Sequence, residues 1–472
     1  MPDRVEAQVV GVIPFWSQSE ALNWDSNFVF LDRLLPRLAD RFPHWVWVVF
    51  WPNSATSDQN RWHIYERDFF RPGTIVPFSW PYLTSMQRGV LAFSERRFAE
   101  LEKIYSPTLY WCQEVEIIPS LYQGVDSTSL SNQKANAKIV AQQMYIPHRS
   151  LPYPWYNQLQ RLWPQMGGAL MADEVVVGSE WCWKMQRESY SEFLSADAQA
   201  KIENHTRLFY MGLVEQWMIA EPIRSYSKPV FVYNHRFEAY KNPTDTATTW
   251  RALRAEGLDF EVWATQHHAQ SKNLLPIDRI VGAADPRVYM TNIAVPAINT
   301  FNSRHETFCI ALSDSLALGH LLVLPRRCTF PELVPPNYPY LFDSLGEQQE
   351  MLRHILRGWP DTYTEWSGRL RQYAWSKFGI DHIVDQYADL LTHLGTAWHV
   401  QQSKPHIQAR SEIFWNTLRR ETARVCDIYA LHGKALGLAS QAMPMRWTIR
   451  ELAALGGRFT VGMDSDLYVH WT

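Results

Sequence analysis

The segment Val46-Trp47-Val48-Val49-Phe50 is an uninterrupted apolar run. A strand with one wet face alternates apolar and polar residues, whereas a strand covered by helices on both faces does not. The segment is therefore typical of a buried strand in a parallel sheet. Helical stretches such as Asn27–Arg41 and Arg88–Ile104 lie between similar short runs. This alternation predicts an α/β fold with largely parallel sheets.

Two such series follow one another, separated by a proline- and serine-containing break around Ala220–Lys228 that is typical of a linker. Strands of the first series are predicted at Gln8–Pro14, Trp45–Trp51, Thr74–Phe78, Thr108–Cys112 and Glu174–Gly178. Those of the second are predicted at Pro229–Tyr233, Phe260–Ala264, Arg287–Met290, Leu321–Leu324 and Tyr340–Phe342. We expect two Rossmann-like doubly wound domains, 1–225 and 226–400, facing a cleft with ligands at the carboxyl ends of the strands.

Residues 401–472 have a different character and predict a small helical, winged-helix-like or α/β appendage. Its predicted parts are an amphipathic helix over Arg410–Leu431, a capping box at Thr448–Glu451 and a hairpin over Arg458–Trp471. From Pro405 onward there are eight Lys and Arg residues against six Asp and Glu residues. Nucleic-acid binding and a plain structural or dimerisation role both stay open for this segment.

Composition excludes several classes of protein. A net charge of −3 excludes a histone-like basic protein, and no apolar run approaches the length of a membrane span. Five scattered cysteines without a CxxC pair indicate a reducing compartment, and we expect a cytoplasmic protein of a bacterium or of a phage-infected cell. Aromatic residues make up 14% of the chain, which favours some of them lining a cleft for sugars or bases, with extra core packing as the equal alternative.

Two segments of the second half carry residues suited to a sugar nucleotide. Arg236 and Lys241 follow the strand that ends at Tyr233, and two cations at a strand end suit a diphosphate. Further on, Glu306 precedes a helix predicted to begin at about Thr307, whose N-terminus would face an anion. Asp314 is expected about two turns on, on the same face as Glu306. Taken separately, each segment fits ordinary surface and capping residues better than a ligand site.

Together the two segments resemble the C-terminal half of a retaining GT-B glycosyltransferase. In that superfamily an Arg and a Lys follow the first strand of the second domain, and a Glu-x7-Glu motif opens a later helix. Arg236 and Lys241 match the cations, Glu306 matches the first Glu, and Asp314 stands at the second with a shorter side chain. Cys309 replaces a usual Gly of the donor loop.

The closer resemblance is to the tRNA-queuosine mannosyltransferase group. Asn234–Pro243 is similar to its Asn-His-Arg-Trp…Lys-Asn-Pro stretch, and Phe330–Leu333 to its Tyr-Pro-Glu-Ile segment. The first domain fits more weakly, through Ala172–Ser179, Leu109–Glu114 and Ile13–Ser17. The resemblance covers residues 1–395, is specific over 229–340, and leaves the last part of the chain unexplained.

The resemblance implies a set of site residues. The donor-binding set is Asn234, Arg236, Lys241, Gln266, His305, Glu306, Thr307, Phe308, Cys309 and Asp314. The catalytic set is Arg236, Lys241 and Glu306 with Gln113 and Glu114, of which Glu114 would orient or deprotonate the acceptor hydroxyl. Trp16, Ser17 and Trp111 are the predicted acceptor-binding residues. No metal and no cofactor are expected, because cations and a helix N-terminus stabilise the departing diphosphate of a UDP- or GDP-sugar.

Three functions stay open. The first is transfer of a sugar to a hydroxyl of a modified nucleobase, with 5-hydroxymethylcytosine DNA of the phage type favoured and tRNA queuosine next. The second is transfer to a small molecule, glycan or lipid. The third is a non-catalytic binding protein with a GT-B fold, which the presence of Arg236, Lys241 and Glu306 disfavours.

Overall fold

The structure is a computed structural model. It describes residues 8–14, 26–52, 69–80, 95–119, 121, 137–151, 155–265, 274–283, 285–400, 459–463 and 467–471.

The first half of the chain forms a sheet of seven parallel strands. The strands are β1 (Val9–Ile13), β2 (Val46–Pro52), β3 (Ile75–Trp80), β4 (Leu109–Cys112), β5 (Lys138–Gln143), β6 (Glu174–Val177) and β7 (Thr206–Leu208). The helices are α1 (Ser26–Arg41), α2 (Glu95–Ile104), α3 (Trp155–Met171), α4 (Glu180–Ser191), α5 (Ala196–Asn204) and α6 (Gln216–Ala220). The strand order β3-β2-β1-β4-β5-β6-β7 reverses between β1 and β4.

The second half repeats this plan with a sheet of six parallel strands. The strands are β8 (Val230–Tyr233), β9 (Glu261–Ala264), β10 (Arg279–Ile280), β11 (Ala297–Thr300), β12 (Leu321–Pro325) and β13 (Leu341–Phe342). The helices are α7 (Pro243–Ala255), α8 (Pro286–Ile293), α9 (Ile310–Ala317), α10 (Leu345–Arg357), α11 (Asp361–Phe378) and α12 (Ile380–Val400). The order β10-β9-β8-β11-β12-β13 reverses between β8 and β11, so the predicted doubly wound α/β class is confirmed.

The apolar run in β2 is buried on both faces. Trp47 and Val49 belong to one buried cluster, whereas Val48 and Phe50 belong to another on the opposite face. All four side chains are fully buried, and each contributes about 1.5–3 kcal/mol of burial free energy. The absence of alternation in this strand is thus explained by helices on both sides of the sheet.

One predicted strand, Arg287–Met290, is instead part of helix α8. The Asp285 side chain accepts hydrogen bonds from the backbone N–H groups of Arg287 (2.8 Å) and Val288 (2.9 Å), and Pro286 occupies the first turn. These N-terminal signals outweigh the β-propensity of Val288 and its neighbour. The strand at this point of the chain is β11, just after the helix.

Helix α12 returns the chain to the first domain. Just before this helix, the chain pairs with the segment around Val214. Val214 N–H donates to Phe378 O (2.8 Å), and Ile380 N–H donates to Val214 O (2.9 Å). The helix then packs against α1 and β5, and the Tyr387 ring lies 5.4 Å from that of Trp111. The predicted donor domain 226–400 therefore includes a final helix that packs with the first domain, and the domain limits stay predictions.

Of the predicted appendage, the structure describes only a hairpin. Strands β14 (Phe459–Met463) and β15 (Leu467–Trp471) are antiparallel, with Val461 opposite Val469. The remaining parts of the predicted winged-helix-like segment lie outside the described residues. Within the described ranges, no helix is both long and apolar enough to cross a membrane.

Candidate functional site

The candidate site lies where the second sheet reverses its strand order. Strands β8 and β11 are neighbours and parallel, so the loops that follow them meet at the same edge of the sheet. The loop after β8 carries Arg236 and Lys241, and the loop after β11 carries Glu306. A ligand in an open α/β sheet binds at such a point.

Lys241 and Glu306 form a buried ion pair between these two loops. The Lys241 Nζ donates to Glu306 Oε1, and the two side chains are 10% and 6% exposed. Burial alone would lower the pKa of Lys241, but attraction to Glu306 outweighs it and raises the pKa above its usual range. The lysine is therefore a fixed positive charge at the carboxyl edge of the sheet.

Arg236 is the more accessible of the two predicted cations. Its guanidinium donates to Tyr240 Oη at 2.8 Å and pairs with Glu238 at 3.0 Å. The side chain is 25% exposed, so solvent reaches it even with these contacts formed. An anion arriving from solvent can therefore reach the Arg236 guanidinium without disturbing the buried pair of Lys241 and Glu306.

Helix α9 begins at Ile310, not at the predicted Thr307, with Cys309 as its N-cap residue. The preceding loop is drawn toward the first domain, because Thr307 Oγ1 donates to Met144 O at 3.0 Å. Phe308 packs against Phe378 at the end of α11 in its own domain. Glu306 consequently lies outside the helix. The expectation that Glu306 and Asp314 share one helical face is wrong.

Asp314 faces the first domain. Its Oδ1 lies 3.2 Å from Arg33 Nη1 on α1, and the side chains of the pair are 8% and 9% exposed. Burial raises the pKa of Asp314, and the charge of Arg33 opposes that rise. Arg33 also donates to Leu213 O at 3.2 Å. Asp314, a predicted donor-binding residue, is thus held in a buried ion pair between the domains.

Three other predicted donor residues hold the site together. Asn234 Nδ2 donates to Ala311 O at 2.9 Å, and its Oδ1 accepts from Asn299 at 2.8 Å, which ties β8, β11 and α9. The Thr307 carbonyl accepts from Ser179 Oγ at 2.7 Å across the domain interface. The His305 ring stands edge-on to Tyr145 of the first domain at 5.4 Å.

Three of the remaining predicted residues, Gln266, Trp16 and Ser17, lie outside the described residues. Trp111, predicted to bind the acceptor, is fully buried in the core beside Tyr387 and offers no surface to a ligand. The position on β4 turns this side chain toward the helices that cover the sheet.

Gln113 and Glu114 follow β4, at the point where the first sheet reverses. Gln113 Nε2 donates to Asn27 O at 2.9 Å. The Glu114 side chain is fully buried, and its pKa is raised well above the usual range by burial and by the charge of Glu116, against the opposing charge of Arg161. A raised pKa favours the protonated carboxyl, which donates a hydrogen bond and can orient an acceptor hydroxyl.

Glu332 is a functional candidate to which the sequence assigned no role. Its carboxylate accepts from the backbone N–H groups of Glu180 (2.8 Å) and Trp181 (3.0 Å), in the first turn of α4 in the other domain. A carboxylate at a helix N-terminus is stabilised by the free N–H groups and the helix dipole. Glu332 therefore joins the two domains, through contacts 151 and 152 residues apart that no local pattern reveals.

One group of side chains at this edge has the composition of a metal site. Ligand atoms of His235, Glu306 and Cys309 lie within 4.8 Å of one another, and all three residues are buried.

The sequence matches no family model and no curated protein. Solved structures do match. Sucrose-phosphate synthase from Thermosynechococcus elongatus has a TM-score of 0.57 at 15% identity, over 83% of this chain and 100% of its own. A glycosyltransferase from Rickettsia africae gives 0.55 at 11% identity, over 82% and 99%. HepE from Anabaena in complex with UDP-glucose gives 0.53 at 14% identity, over 82% and 100%.

At these identities the likeness shows the fold, which is GT-B. The match extends through both domains, since it covers more than four-fifths of this chain. The predicted GT-B architecture is therefore confirmed. Among these structures, neither the queuosine group nor a nucleic-acid acceptor finds support.

Proposed function

We propose that the chain is a glycosyltransferase that uses a nucleotide-sugar donor. One observation carries the proposal. Arg236, Lys241 and Glu306 lie in the loops that follow β8 and β11, where the strand order of the second sheet reverses. This sheet belongs to the second domain of a GT-B fold. Similarity to a glycosyltransferase and to a protein solved with UDP-glucose supports a UDP-sugar as the first donor to test, with a GDP-sugar next.

The chemistry asked of these residues is electrostatic. When the glycosidic bond to the diphosphate breaks, negative charge develops on the leaving oxygen, and fixed cations lower the barrier. Arg236 is partly exposed just after β8, while Lys241 is held in place by Glu306. The N-terminus of α9 would add N–H donors on the same side. Retention of anomeric configuration and independence from metal belong to the proposal and follow from the resemblance.

The acceptor is proposed as a hydroxyl on a modified nucleobase in DNA or tRNA, because of the resemblance to a base-modifying group. A sugar or other small hydroxyl acceptor is the second candidate, favoured by similarity to sucrose-phosphate synthase. The Tyr145, Trp181 and His305 rings lie together across the cleft, with ring centres 5.4 and 6.4 Å from His305. Such aromatic faces suit a flat base or the apolar face of a sugar.

The donor proposal is tested by UDP-glucose and GDP-mannose binding, measured calorimetrically, and by release of free nucleotide. Arg236→Ala and Lys241→Ala should each reduce turnover by about 100-fold or more if they stabilise the leaving group. Arg254→Ala is the matched control, because this arginine pairs with Asp278 at the amino ends of the strands, away from the candidate site. Unchanged turnover in both site variants would contradict the assignment.

The acceptor proposal is tested with 5-hydroxymethylcytosine DNA, queuosine tRNA and a set of small sugars and sugar phosphates. Each acceptor is incubated with the donor, and mass spectrometry then measures the mass increase expected for an added sugar. A glycosylated nucleoside supports the nucleobase acceptor, and a product only with small sugars supports the second candidate. The anomeric configuration of the product, read by NMR, tests retention.

A further inference from the structure

His235, Glu306 and Cys309 come from two loops and converge on one point. His235 follows β8, whereas Glu306 and Cys309 lie in the loop that leads into α9. Their ligand atoms lie within 4.8 Å of one another, and the three residues are only 4%, 6% and 3% exposed. The proposed transfer reaction uses Glu306 as the partner of Lys241 and assigns no chemistry to the imidazole or the thiol.

The His235 imidazole has an unsatisfied atom. Its Nε2 is buried and has no hydrogen-bond partner among the described residues, while the ring edge packs against Phe301 at 4.0 Å. A buried nitrogen without a partner is costly and rare, and a bound ion is one of the explanations for it. The orphaned nitrogen and the convergence of three ligand types are separate observations that point to the same occupant.

We propose that His235, Glu306 and Cys309 form a binding site for Zn²⁺. One nitrogen, one oxygen and one sulfur ligand suit this borderline-soft ion, whereas Mg²⁺ and Ca²⁺ require oxygen ligands. Ligands of tetrahedral zinc at bond lengths of about 2.0–2.3 Å are separated by roughly 3.3–3.8 Å. The ligand atoms lie at most 4.8 Å apart. Side-chain rotations that move each ligand atom by about 1 Å bring them to the separation that zinc needs.

Three protein ligands leave a fourth position of the tetrahedron open. When Zn²⁺ binds, the Cys309 thiol becomes a thiolate and releases its proton to solvent. The thiolate and the Glu306 carboxylate together balance the charge of the ion. The ion and its three protein ligands thus carry no net charge together.

Lys241 competes for the same carboxylate. Its ammonium group donates to Glu306 Oε1, one of the two oxygens that this carboxylate can offer to a metal. A metal ion and an ammonium group so close to each other repel strongly in a buried site. Binding of Zn²⁺ at Glu306 therefore competes with the ion pair of Lys241 and Glu306.

This competition predicts that removal of the positive charge of Lys241 strengthens the binding of Zn²⁺. Lys241→Met keeps the length and apolar stem of the side chain and frees the carboxylate. The dissociation constant for Zn²⁺ should fall by about tenfold or more. Loss of a direct ligand in Cys309→Ser or His235→Gln should raise it by about 100-fold or more. Cys328→Ser is the matched control, because that thiol is not among the converging ligand atoms.

The experiment uses the full chain, treated with chelator and titrated with Co²⁺ and then Zn²⁺. Co²⁺ is expected to bind with one-to-one stoichiometry and to give a thiolate-to-cobalt charge-transfer band that Zn²⁺ abolishes. Wild-type protein without the band overturns the proposal, as does a band that survives in Cys309→Ser.

Misfolding of the cysteine or histidine variant is checked by circular dichroism and cannot imitate the tighter binding of Lys241→Met. Unchanged or weaker binding in that variant also overturns the proposal. None of these readouts uses a nucleotide sugar, so the metal site and the transferase function fail independently.

Discussion

Replacing Arg33 by methionine tests the ion pair that joins α1 of the first domain to α9 of the second. Methionine fills most of the volume of the arginine stem but carries no charge. Asp314 would then be a buried carboxylate whose direct partner is gone. The effect of the change is therefore electrostatic more than steric.

The magnitude follows from the burial of the pair. The two side chains are 9% and 8% exposed, so solvent screens the charges little. Removal of one partner from a buried pair costs about 3–5 kcal/mol, because the other charge remains desolvated. Arg37, one turn further along α1, pairs with Glu215 but is 33% exposed. Arg37→Met should therefore cost only about 0–1 kcal/mol.

The assay is urea unfolding followed by tryptophan fluorescence and by circular dichroism, at pH 5 and pH 8. Burial already raises the pKa of Asp314, and loss of Arg33 raises it further. A carboxyl group with a raised folded-state pKa is stabilising below its unfolded-state pKa, and this stabilisation is lost as the pH rises through the folded-state value. The cost of Arg33→Met should accordingly be larger at pH 8.

A double variant completes the test. Arg33→Met with Asp314→Asn removes both charges and should recover most of the lost free energy, so that the two substitutions are not additive. A cost of less than about 1 kcal/mol for Arg33→Met would refute the account. Strict additivity in the double variant would refute it too.

Three further outcomes are expected. Glu114→Gln mimics the protonated acid, and because burial raises the pKa of Glu114, the variant should match the wild type in acid and become progressively more stable than it toward pH 9 in thermal unfolding scans. Glu332→Gln should cost about 1–2 kcal/mol of unfolding free energy in urea, because an amide carries no charge at the N-terminus of α4; an unchanged free energy would argue against its joining role. Gly168→Ala places a methyl group 2.0 Å from Val115 O and should destabilise by about 3 kcal/mol or more, whereas Gly368→Ala meets open space in α11 and should stabilise by up to about 1 kcal/mol.

The sequence predicted those parts of the fold that depend on local pattern. The apolar run of β2 reports burial on both faces, and strand ends followed by Arg236 and Lys241 indicate where a site forms, because parallel strands deliver their carboxyl ends to one edge. The meeting of Lys241 with Glu306 follows from the same logic.

What the sequence could not predict depends on contacts between distant residues. Arg33 and Asp314 are 281 positions apart, and no local sequence pattern around either residue indicates that they pair. The loop before α9 is extended because Thr307 bonds to Met144 of the other domain, so helix propensity alone placed the helix start too early. The sequence around Trp111 is equally compatible with a position facing a cleft or in the core. Packing against Tyr387, which is distant in sequence, places it in the core.

The return of α12 to the first domain has a consequence for synthesis in the cell. A nascent chain emerges from the ribosome in order, so the surface formed by α1 and β5 exists long before the helix that covers it. At a translation rate of about 5–20 residues per second, the roughly 190 residues that separate Val214 from the end of α12 take about 10–40 s to appear. During that interval Phe30 and Trp111, two of the aromatic partners of Tyr387, lack their cover and are available to chaperones.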